Sequence, residues 1–295
     1  MKVVSNIAEL RALLGKWVGN SSSIGFVPTM GALHTGHLSL ISRSIKENDK
    51  TCVSIFVNPK QFSPDEDFDI YPRDLDQDIL TLDGAKVDLL YVPRLEEMYK
   101  PGSLTVITVP VIGDILEGVY RKNFFSGVAT VVAKLLIQVG PHRLYLGEKD
   151  YQQLCVIRQM VDDLDISTDI LACATVREKD GLAVSSRNVR LSDRQREVAP
   201  LLHQTLLEAA EAFDNTGDEL VTAENSTRKL LERGFDKVDY FSICDGLTLG
   251  AIGPKTENIR ILAAAWLGNN RLIDNIALSA ILTRTAGGNN NQSQR

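Results

Sequence analysis

The chain is poor in cysteine and aromatic residues and has no long apolar run. Its four cysteines form no CxxC pair and no spacing with histidine suited to zinc, so buried free thiols in a reduced, cytoplasmic protein are expected. No apolar stretch approaches the roughly 20 residues that span a bilayer, and polar residues interrupt the N-terminal segment as they would not in a signal peptide. No P-loop motif GxxxxGKS/T is present.

Charge and size further limit the class of protein and the kinds of partner. At 295 residues and 44% hydrophobic content, the chain can form one large globular domain or two ordinary ones. The formal net charge of -6 disfavours a general nucleic-acid binder, which carries a basic face, yet it allows a local basic site for a nucleotide. We therefore expect small-molecule partners, no nucleic acid and no membrane.

The most informative stretch is the decapeptide PTMGALHTGH at Pro28–His37, which follows an apolar run and precedes a predicted helix over 38–48. A strand, a glycine-bearing turn and a helix N-terminus form an anion site, because free N–H groups and the helix dipole point at one spot. His34 and His37 can donate hydrogen bonds to a changing phosphate, and Gly36 lets the backbone approach a ligand. The stretch indicates chemistry at an α-phosphate, although histidines as helix caps or surface residues are the alternative.

Apolar, β-branched runs alternate with amphipathic segments up to residue 176. The predicted strands are Gly25–Val27, Thr51–Val57, Leu89–Val92, Thr105–Val109, Arg143–Gly147 and Thr168–Ala174. The predicted helices are 38–48, 75–83, 126–139 and 151–164. This alternation predicts an α/β fold, a Rossmann-like doubly wound parallel sheet over 1–176, with ligands beyond the carboxyl ends of its strands.

From about Arg177 the pattern changes. A helix capped by Ser192 is predicted to run to about Phe213 with a kink at Pro200, and a second helix covers 222–233. Predicted strands follow at Val238–Cys244, Asn258–Leu267 and Arg271–Ile276. We assign 177–283 to a smaller α+β lid domain and 284–295 to a polar, disordered tail.

Three other segments carry polar chemistry at strand ends or in loops. Gln61 can donate to a carboxylate and accept from a hydroxyl, which suits a small hydroxy acid. Gly147 permits a tight turn, Lys149 offers a charge for phosphate, and Asp150 is a candidate helix cap. The run Val184–Asn188 places two hydroxyls and a guanidinium on a mobile loop that suits a triphosphate lid. Ordinary surface loops and a capped helix are the alternatives.

Carboxylates of the acidic run 74–78 fall at a predicted helix start, where they complement the helix dipole. Support of Mg²⁺ through Asp78 is the alternative for this run. Arg121, ahead of the helix predicted from Ser126, is a candidate contact for a phosphate or a carboxylate.

These segments together resemble a known family. In order and spacing, PTMGALHTGH, SIFVNPKQF, YPR, GEKDYQQ, DGLAVSSRN and RLIDN look like the pantothenate synthetase (pantoate–β-alanine ligase) family, from residue 1 to about 280. That family belongs to the nucleotidyl-transferase group, which shares HxGH and a KMSKS-like loop with class I aminoacyl-tRNA synthetases. The resemblance implies that pantoate and MgATP give a bound pantoyl adenylate and pyrophosphate. β-Alanine then attacks the acyl carbon and releases pantothenate and AMP.

The resemblance also implies residue roles and a cytoplasmic homodimer. His34 and His37 would stabilise the reacting phosphates, with His37 as proton donor, and Gln61 and Gln153 would hold pantoate. The implied ATP contacts are Met30, Gly31, Ala32, Leu33, His34, Thr35, Gly36, His37, Gly147, Glu148, Lys149, Asp150, Val176, Val184, Ser185, Ser186 and Arg187. The implied catalytic set is His34, His37, Lys149, Ser185, Ser186 and Arg187, and no protein metal ligand is assigned.

Two positions depart from the family pattern. Phe124 stands where the family commonly has histidine in RPGHF, and Gln77 stands where an acidic residue is frequent, which weakens a metal role there. One alternative function is a nucleotidylyltransferase of the same fold that acts on another small molecule. Another is a non-enzymatic nucleotide-binding regulator. The pair Gln61 and Gln153 favours the ligase, and intact HxGH and SSR motifs disfavour a decayed site.

Overall fold

The computed structural model describes residues 1–62, 68, 71 and 73–278, and the chain divides into two compact units. Unit 1 comprises Met1–Val176 with Val184–Ser186, and unit 2 comprises Arg177–Ala183 with the described residues from Arg187 onward. The predicted tail over 284–295 lies outside the described residues. Within those residues, no helix has both the length and the apolar character needed to cross a membrane.

Unit 1 is built on a six-stranded parallel sheet in the order β1-β4-β3-β2-β5-β6. Its strands are β1 (Lys2–Val4), β2 (Ile24–Thr29), β3 (Lys50–Ile55), β4 (Leu89–Tyr91), β5 (Arg143–Gly147) and β6 (Asp169–Cys173). Strands β3, β4 and β1 lie in that order on one side of β2, and β5 and β6 lie on the other side. The predicted doubly wound parallel sheet is therefore confirmed, with its switch point between β2 and β5.

Helices cover this sheet because its central strands are largely apolar and buried. They are α1 (Ile7–Gly19), α2 (Thr35–Glu47), α3 (Leu75–Gly84), α4 (Leu95–Met98), α5 (Glu117–Tyr120), α6 (Phe124–Val139) and α7 (Tyr151–Asp163). Ile41 of α2 and Leu82 of α3 join a buried cluster with Val27, Val53 and Tyr145 of the strands. Helix α6 contacts β2, α1 and α7.

The N-terminal elements and one predicted strand differ from expectation. Neither β1 nor α1 was predicted, since a three-residue strand is too short to show a hydrophobic period. Residues 105–109, predicted as a strand, form no regular strand in the described chain. The Ile107 N–H instead donates to Thr130 Oγ1 at 2.9 Å, and Val106 is exposed. β-Branched composition alone cannot create a strand where no neighbouring strand pairs with it.

Within the residues that the structure describes, unit 2 combines three α-helices with a three-stranded antiparallel sheet in the order β7-β8-β9. Its elements are α8 (Asp193–Val198), α9 (Leu201–Thr216), α10 (Glu219–Glu232), β7 (Lys237–Asp245), β8 (Ile259–Leu267) and β9 (Asn270–Ala277). The predicted helix from Ser192 divides at Pro200 into α8 and α9, because proline lacks the N–H that would continue the ladder. Ser192 is the predicted cap and accepts from the Gln195 N–H at 3.4 Å.

A buried ion pair ties β9 to the hairpin at 177–183 within unit 2. Arg177 donates to both carboxylate oxygens of Asp274 at 2.6 and 2.8 Å, and His203 Nδ1 lies 3.5 Å from the same carboxylate. Burial raises the pKa of Asp274, but the neighbouring His203 and Arg177 outweigh it and hold the pKa below its usual value. The carboxylate is therefore charged in the folded unit.

We expect Asp274→Ala to lower the free energy of unfolding by about 3–5 kcal/mol, because it removes the charged partner of the partly buried Arg177 guanidinium. Asp180→Ala is the matched control: Asp180 pairs with Arg196 at 2.6 Å on the surface, where such a pair contributes less than about 1 kcal/mol. Urea denaturation followed by circular dichroism measures the free energy of unfolding of both variants. Equal losses in the two variants would contradict a buried, uncompensated charge as the cause.

Candidate active site

Two motif-bearing turns lie at the switch point of the sheet. The loop after β2 leads through His34 into α2, and a 3₁₀ turn, Glu148–Asp150, follows β5. Because β2 and β5 are parallel neighbours, their carboxyl ends share one edge. The predicted anion-binding turn and the GEKD segment are thus on adjacent strands, where doubly wound sheets bind their ligands.

His34 and His37 form a stacked pair at the N-terminus of α2. Their ring centroids are 4.0 Å apart with 27° between the planes, and the His34 N–H donates to His37 Nδ1 at 3.4 Å. The buried Nδ1 of His34 has no hydrogen-bond partner among the described residues. Buried polar atoms are normally paired, so this nitrogen is placed to meet a ligand or water.

Burial keeps both imidazoles neutral. Burial, followed by the nearby His34 ring, lowers the pKa of His37 to about 3. Burial also lowers the pKa of His34, with a smaller contribution from the charge of Lys149 that Asp150 opposes. Since His37 Nδ1 accepts a hydrogen bond, the hydrogen of the neutral ring is on Nε2, which makes Nε2 a donor.

A side chain from α3 holds the loop between β2 and α2. Asp78 is buried, and its carboxylate accepts from the Ala32 N–H and the Leu33 N–H, each at 2.9 Å. Asp74, by contrast, caps α3 by accepting from the Gln77 N–H at 3.0 Å, as expected for the acidic run. Asp78 lies in the first turn of α3, so its position fits the predicted helix-dipole interaction, and its side chain additionally faces the loop.

Gln61 and Met30 are brought together beside this loop. Gln61 Nε2 donates to Met30 Sδ at 3.1 Å, and its Oε1 accepts from Asn58 Nδ2 at 3.0 Å. Asn58 is itself buried and accepts from the Tyr99 hydroxyl at 2.8 Å. Sequence reasoning missed Asn58; its signal is an amide directly after a buried strand and before a proline.

Arg121 and Phe124 form a stacked contact next to Gln61. The Arg121 guanidinium lies 3.6 Å from the Phe124 ring centroid, and it donates to the Gln61 carbonyl at 3.4 Å. An aromatic face attracts a guanidinium, so Phe124 supports the position of Arg121 where the family commonly has an imidazole. The contact places Arg121 on the backbone of Gln61.

The turn after β5 differs in detail from expectation. Gly147 has φ -76° and ψ 135°, a conformation open to any residue, so glycine is not needed there for a tight turn. Asp150 occupies the N-cap position of α7 without a capping hydrogen bond, and Lys149 Nζ lies 3.7 Å from its carboxylate. Lys149 and Asp150 act electrostatically on both imidazoles, so they lie near the histidine pair.

Neighbouring glutamines of α7 have different surroundings. Gln153 is partly exposed, and its predicted contact with pantoate stays a prediction. Gln152, which sequence reasoning did not single out, is buried and donates to the carbonyls of Ile112 and Ile115 at 2.7 Å. It also accepts from the Glu117 N–H at 3.0 Å and so holds the segment 112–117 against α7.

The remaining residues that are predicted to contact ATP flank the hairpin at 177–183. The Val184 N–H donates to the Val176 carbonyl at 3.0 Å at its base, and Ser185 and Ser186 continue within unit 1. Arg187 belongs to unit 2, and its predicted ATP contact stays a prediction. All four cysteines are buried and free, as expected.

A Rossmann-like α/β enzyme is the class that this sheet and its switch-point site define, and comparison with known proteins makes the class specific. The sequence profile described as pantoate-beta-alanine ligase matches residues 2–277. A pantothenate synthetase from Methylococcus capsulatus is 46% identical over 96% of this chain and 100% of its own length. One from Hyphomonas neptunium is 43% identical, over 95% and 97% respectively.

Solved structures agree with the sequence comparisons. The pantothenate synthetase of Thermus thermophilus superposes with a TM-score of 0.87 at 44% identity, covering 94% of this chain and 99% of that one. A pantoate-beta-alanine ligase from Francisella tularensis, complexed with beta-gamma ATP and beta-alanine, has a TM-score of 0.81 at 39% identity, over 95% and 98%. The chain belongs to the pantoate–beta-alanine ligase family.

The neutral state of His37 is directly measurable. In the ligand-free protein we expect its ring nitrogens to keep the neutral, Nε2-protonated pattern down to about pH 4, because burial disfavours the imidazolium. Long-range ¹H–¹⁵N correlation spectra recorded across a pH series measure this. A His37 titration midpoint close to the ordinary pKa of 6.5 would show that burial does not keep this imidazole neutral.

Proposed function

We propose that the site at the switch point activates pantoate at the α-phosphate of ATP and then passes the acyl group to β-alanine. In the first step a pantoate carboxylate oxygen attacks the α-phosphorus, forming pantoyl adenylate and releasing pyrophosphate. In the second step the β-alanine nitrogen attacks the acyl carbon, releasing AMP and pantothenate. The overall condensation of pantoate with β-alanine is the activity of the family to which the chain belongs.

The observation that carries this proposal is the stacked, neutral pair His34 and His37 at a helix N-terminus beside Lys149. Transfer at phosphorus requires positioning and charge stabilisation rather than a covalent nucleophile. A neutral imidazole keeps one N–H group, which can donate a hydrogen bond to a phosphate oxygen. Lys149 supplies the positive charge, and the free N–H groups of the first turn of α2 add dipolar attraction.

The pantoate end of the site is assigned to Gln61 and Gln153. Asn58 fixes Gln61 Oε1 as an acceptor, which leaves the Gln61 Nε2 hydrogens directed toward Met30 and the substrate side. An amide held in this way can donate to the carboxylate or hydroxyl of pantoate. Gln153, on the partly exposed side of α7, is proposed as the second contact.

The remaining assignments extend the same proposal. Contacts to ATP are also proposed for the residues of unit 1 that flank the hairpin at 177–183, namely Val176, Val184, Ser185 and Ser186. Mg²⁺ is proposed to enter with ATP; among residues 1–62, 68, 71 and 73–278, no group of three His, Cys, Asp or Glu is placed to hold a metal. A cytoplasmic homodimer is proposed from the family resemblance.

One assay tests the reaction. Purified protein with MgATP and pantoate should release pyrophosphate, and added β-alanine should yield AMP and pantothenate in equal amounts, detected by mass spectrometry. The alternative, a nucleotidylyltransferase of the same fold, would give no amide product. Faster turnover with another hydroxy acid or another amine would contradict the substrate assignment.

His37→Ala should reduce pantoate-dependent pyrophosphate release by about 10²–10³-fold, because it removes a donor to the developing phosphate charge. The control is His142→Ala, which replaces an exposed histidine whose Nδ1 accepts from the Ile24 N–H at 3.0 Å. Circular dichroism verifies the fold of both variants. Wild-type rates in a folded His37→Ala protein would remove this residue from the mechanism.

Gly36→Ala separates activity from stability. A Cβ at this position would lie 2.9 Å from His34 Cε1 and 3.0 Å from its Nδ1, so the imidazole must move. Gly36 is thus required by the packing of His34, in addition to any approach of backbone to ligand. We expect kcat/KM for ATP to fall by about 10²-fold while Tm is unchanged or higher, since alanine favours helix. A loss of activity matched by a loss of Tm would contradict this explanation.

A further inference from the structure

The loop between β2 and α2 depends on a carboxylate outside the motif. Asp78 of α3 is only 4% exposed, and its Oδ2 and Oδ1 accept from the Ala32 and Leu33 N–H groups at 2.9 Å. We propose that Asp78 is a positioning residue: it fixes this loop so that the histidine pair and the first turn of α2 face the phosphates. The proposal rests on the proposed function, which identifies the ligand as ATP.

The backbone of the loop explains why an external anchor is required. Gly31 has φ +82° and Ala32 has φ +50°, both in the left-handed region. Glycine adopts this region freely, but alanine does so only when its surroundings hold it there. The hydrogen bond from Ala32 N–H to the Asp78 carboxylate supplies that restraint at the strained residue itself.

Asp78 also determines which N–H groups remain for an anion. The Gly31 N–H donates to Thr29 Oγ1 at 3.2 Å, and the His34 N–H donates to His37 Nδ1 at 3.4 Å. With Ala32 and Leu33 donating to Asp78, four successive N–H groups have protein acceptors. The N–H groups of Thr35–His37 follow, and the first turn of a helix cannot satisfy them internally. The anion site is thereby concentrated at the histidines.

A role as a metal ligand fits this geometry less well. Each Asp78 oxygen receives an N–H at 2.9 Å, which orients positive hydrogen atoms toward the lone pairs a cation would need. The side chain is also packed against the loop, since a Cβ on Gly31 would lie 2.9 Å from Oδ2. The contacts therefore indicate a structural acceptor that faces backbone and not solvent.

The test is Asp78→Asn, with Asp76→Asn as the matched control. Asp76 lies in the same turn of α3, is exposed, and loses the same charge from the same helix end. An amide can accept one of the two N–H bonds but presents its NH₂ group to the other. We expect kcat/KM for ATP in Asp78→Asn to fall by about 10–100-fold, with the KM for pantoate unchanged. Asp76→Asn should retain wild-type values.

Pantoate-dependent exchange of pyrophosphate into ATP measures kcat/KM for ATP and KM for pantoate. Each measurement is repeated at increasing Mg²⁺ concentrations. A positioning role predicts a defect that persists at saturating Mg²⁺. Recovery of Asp78→Asn by added Mg²⁺ would overturn the proposal in favour of a metal ligand. Wild-type kcat/KM in a folded Asp78→Asn protein would overturn it as well.

A spectroscopic measurement separates this proposal from the proposed function. In ¹H–¹⁵N spectra of the ligand-free protein, the Ala32 and Leu33 amides should shift in Asp78→Asn and not in Asp76→Asn. In the wild type both amides should exchange slowly with solvent, a readout that remains available if the variant does not fold. Rapid exchange of both amides in the wild type would overturn the proposal for Asp78. Slow exchange of both amides in a wild-type protein that does not form pantothenate would overturn only the proposed function.

Discussion

The constraint on which the structure depends is the burial of the central strands of a parallel sheet. Strands β2, β3 and β5 are largely buried, and polar side chains within them, such as Thr29 and Thr51, are hydrogen-bonded inside the protein. Polar chemistry is confined to the segments that leave the sheet at its carboxyl edge. The doubly wound order puts the ends of β2 and β5 side by side, and the histidine pair and Lys149 follow from that adjacency.

A second level of organisation supports the segments at this edge. Asp78 anchors the loop that follows β2, Asn58 orients Gln61, and Gln152 holds the segment at 112–117. Each of these side chains is buried and bonded to backbone or to another side chain, whereas the proposed pantoate contacts Gln61 and Gln153 are partly exposed. Buried polar residues of this kind fix geometry because leaving any of their partners unpaired is costly.

The parts of the fold that sequence could predict are those with a long hydrophobic period or a distinct boundary residue. The helix predicted over 126–139 corresponds to α6, in which apolar side chains recur at helical spacing. Pro200 divides α8 from α9 where the missing N–H requires it. Residues 105–109 have strand composition, but pairing depends on a neighbour that local sequence does not specify. Asp78 could not be assigned because its partners, Ala32 and Leu33, are more than forty residues away in the chain.

The neutrality of the histidine pair has a consequence for turnover. Coulomb attraction grows with the charge on both partners, so a site rich in fixed cations would retain the highly charged pyrophosphate after the first step. Donors without net charge stabilise a phosphate mainly through direction, and they lose much of that advantage when the leaving group rotates out of line. In the proposed reaction, the two neutral imidazoles therefore hold a phosphate by alignment, and the positive charge comes from Lys149.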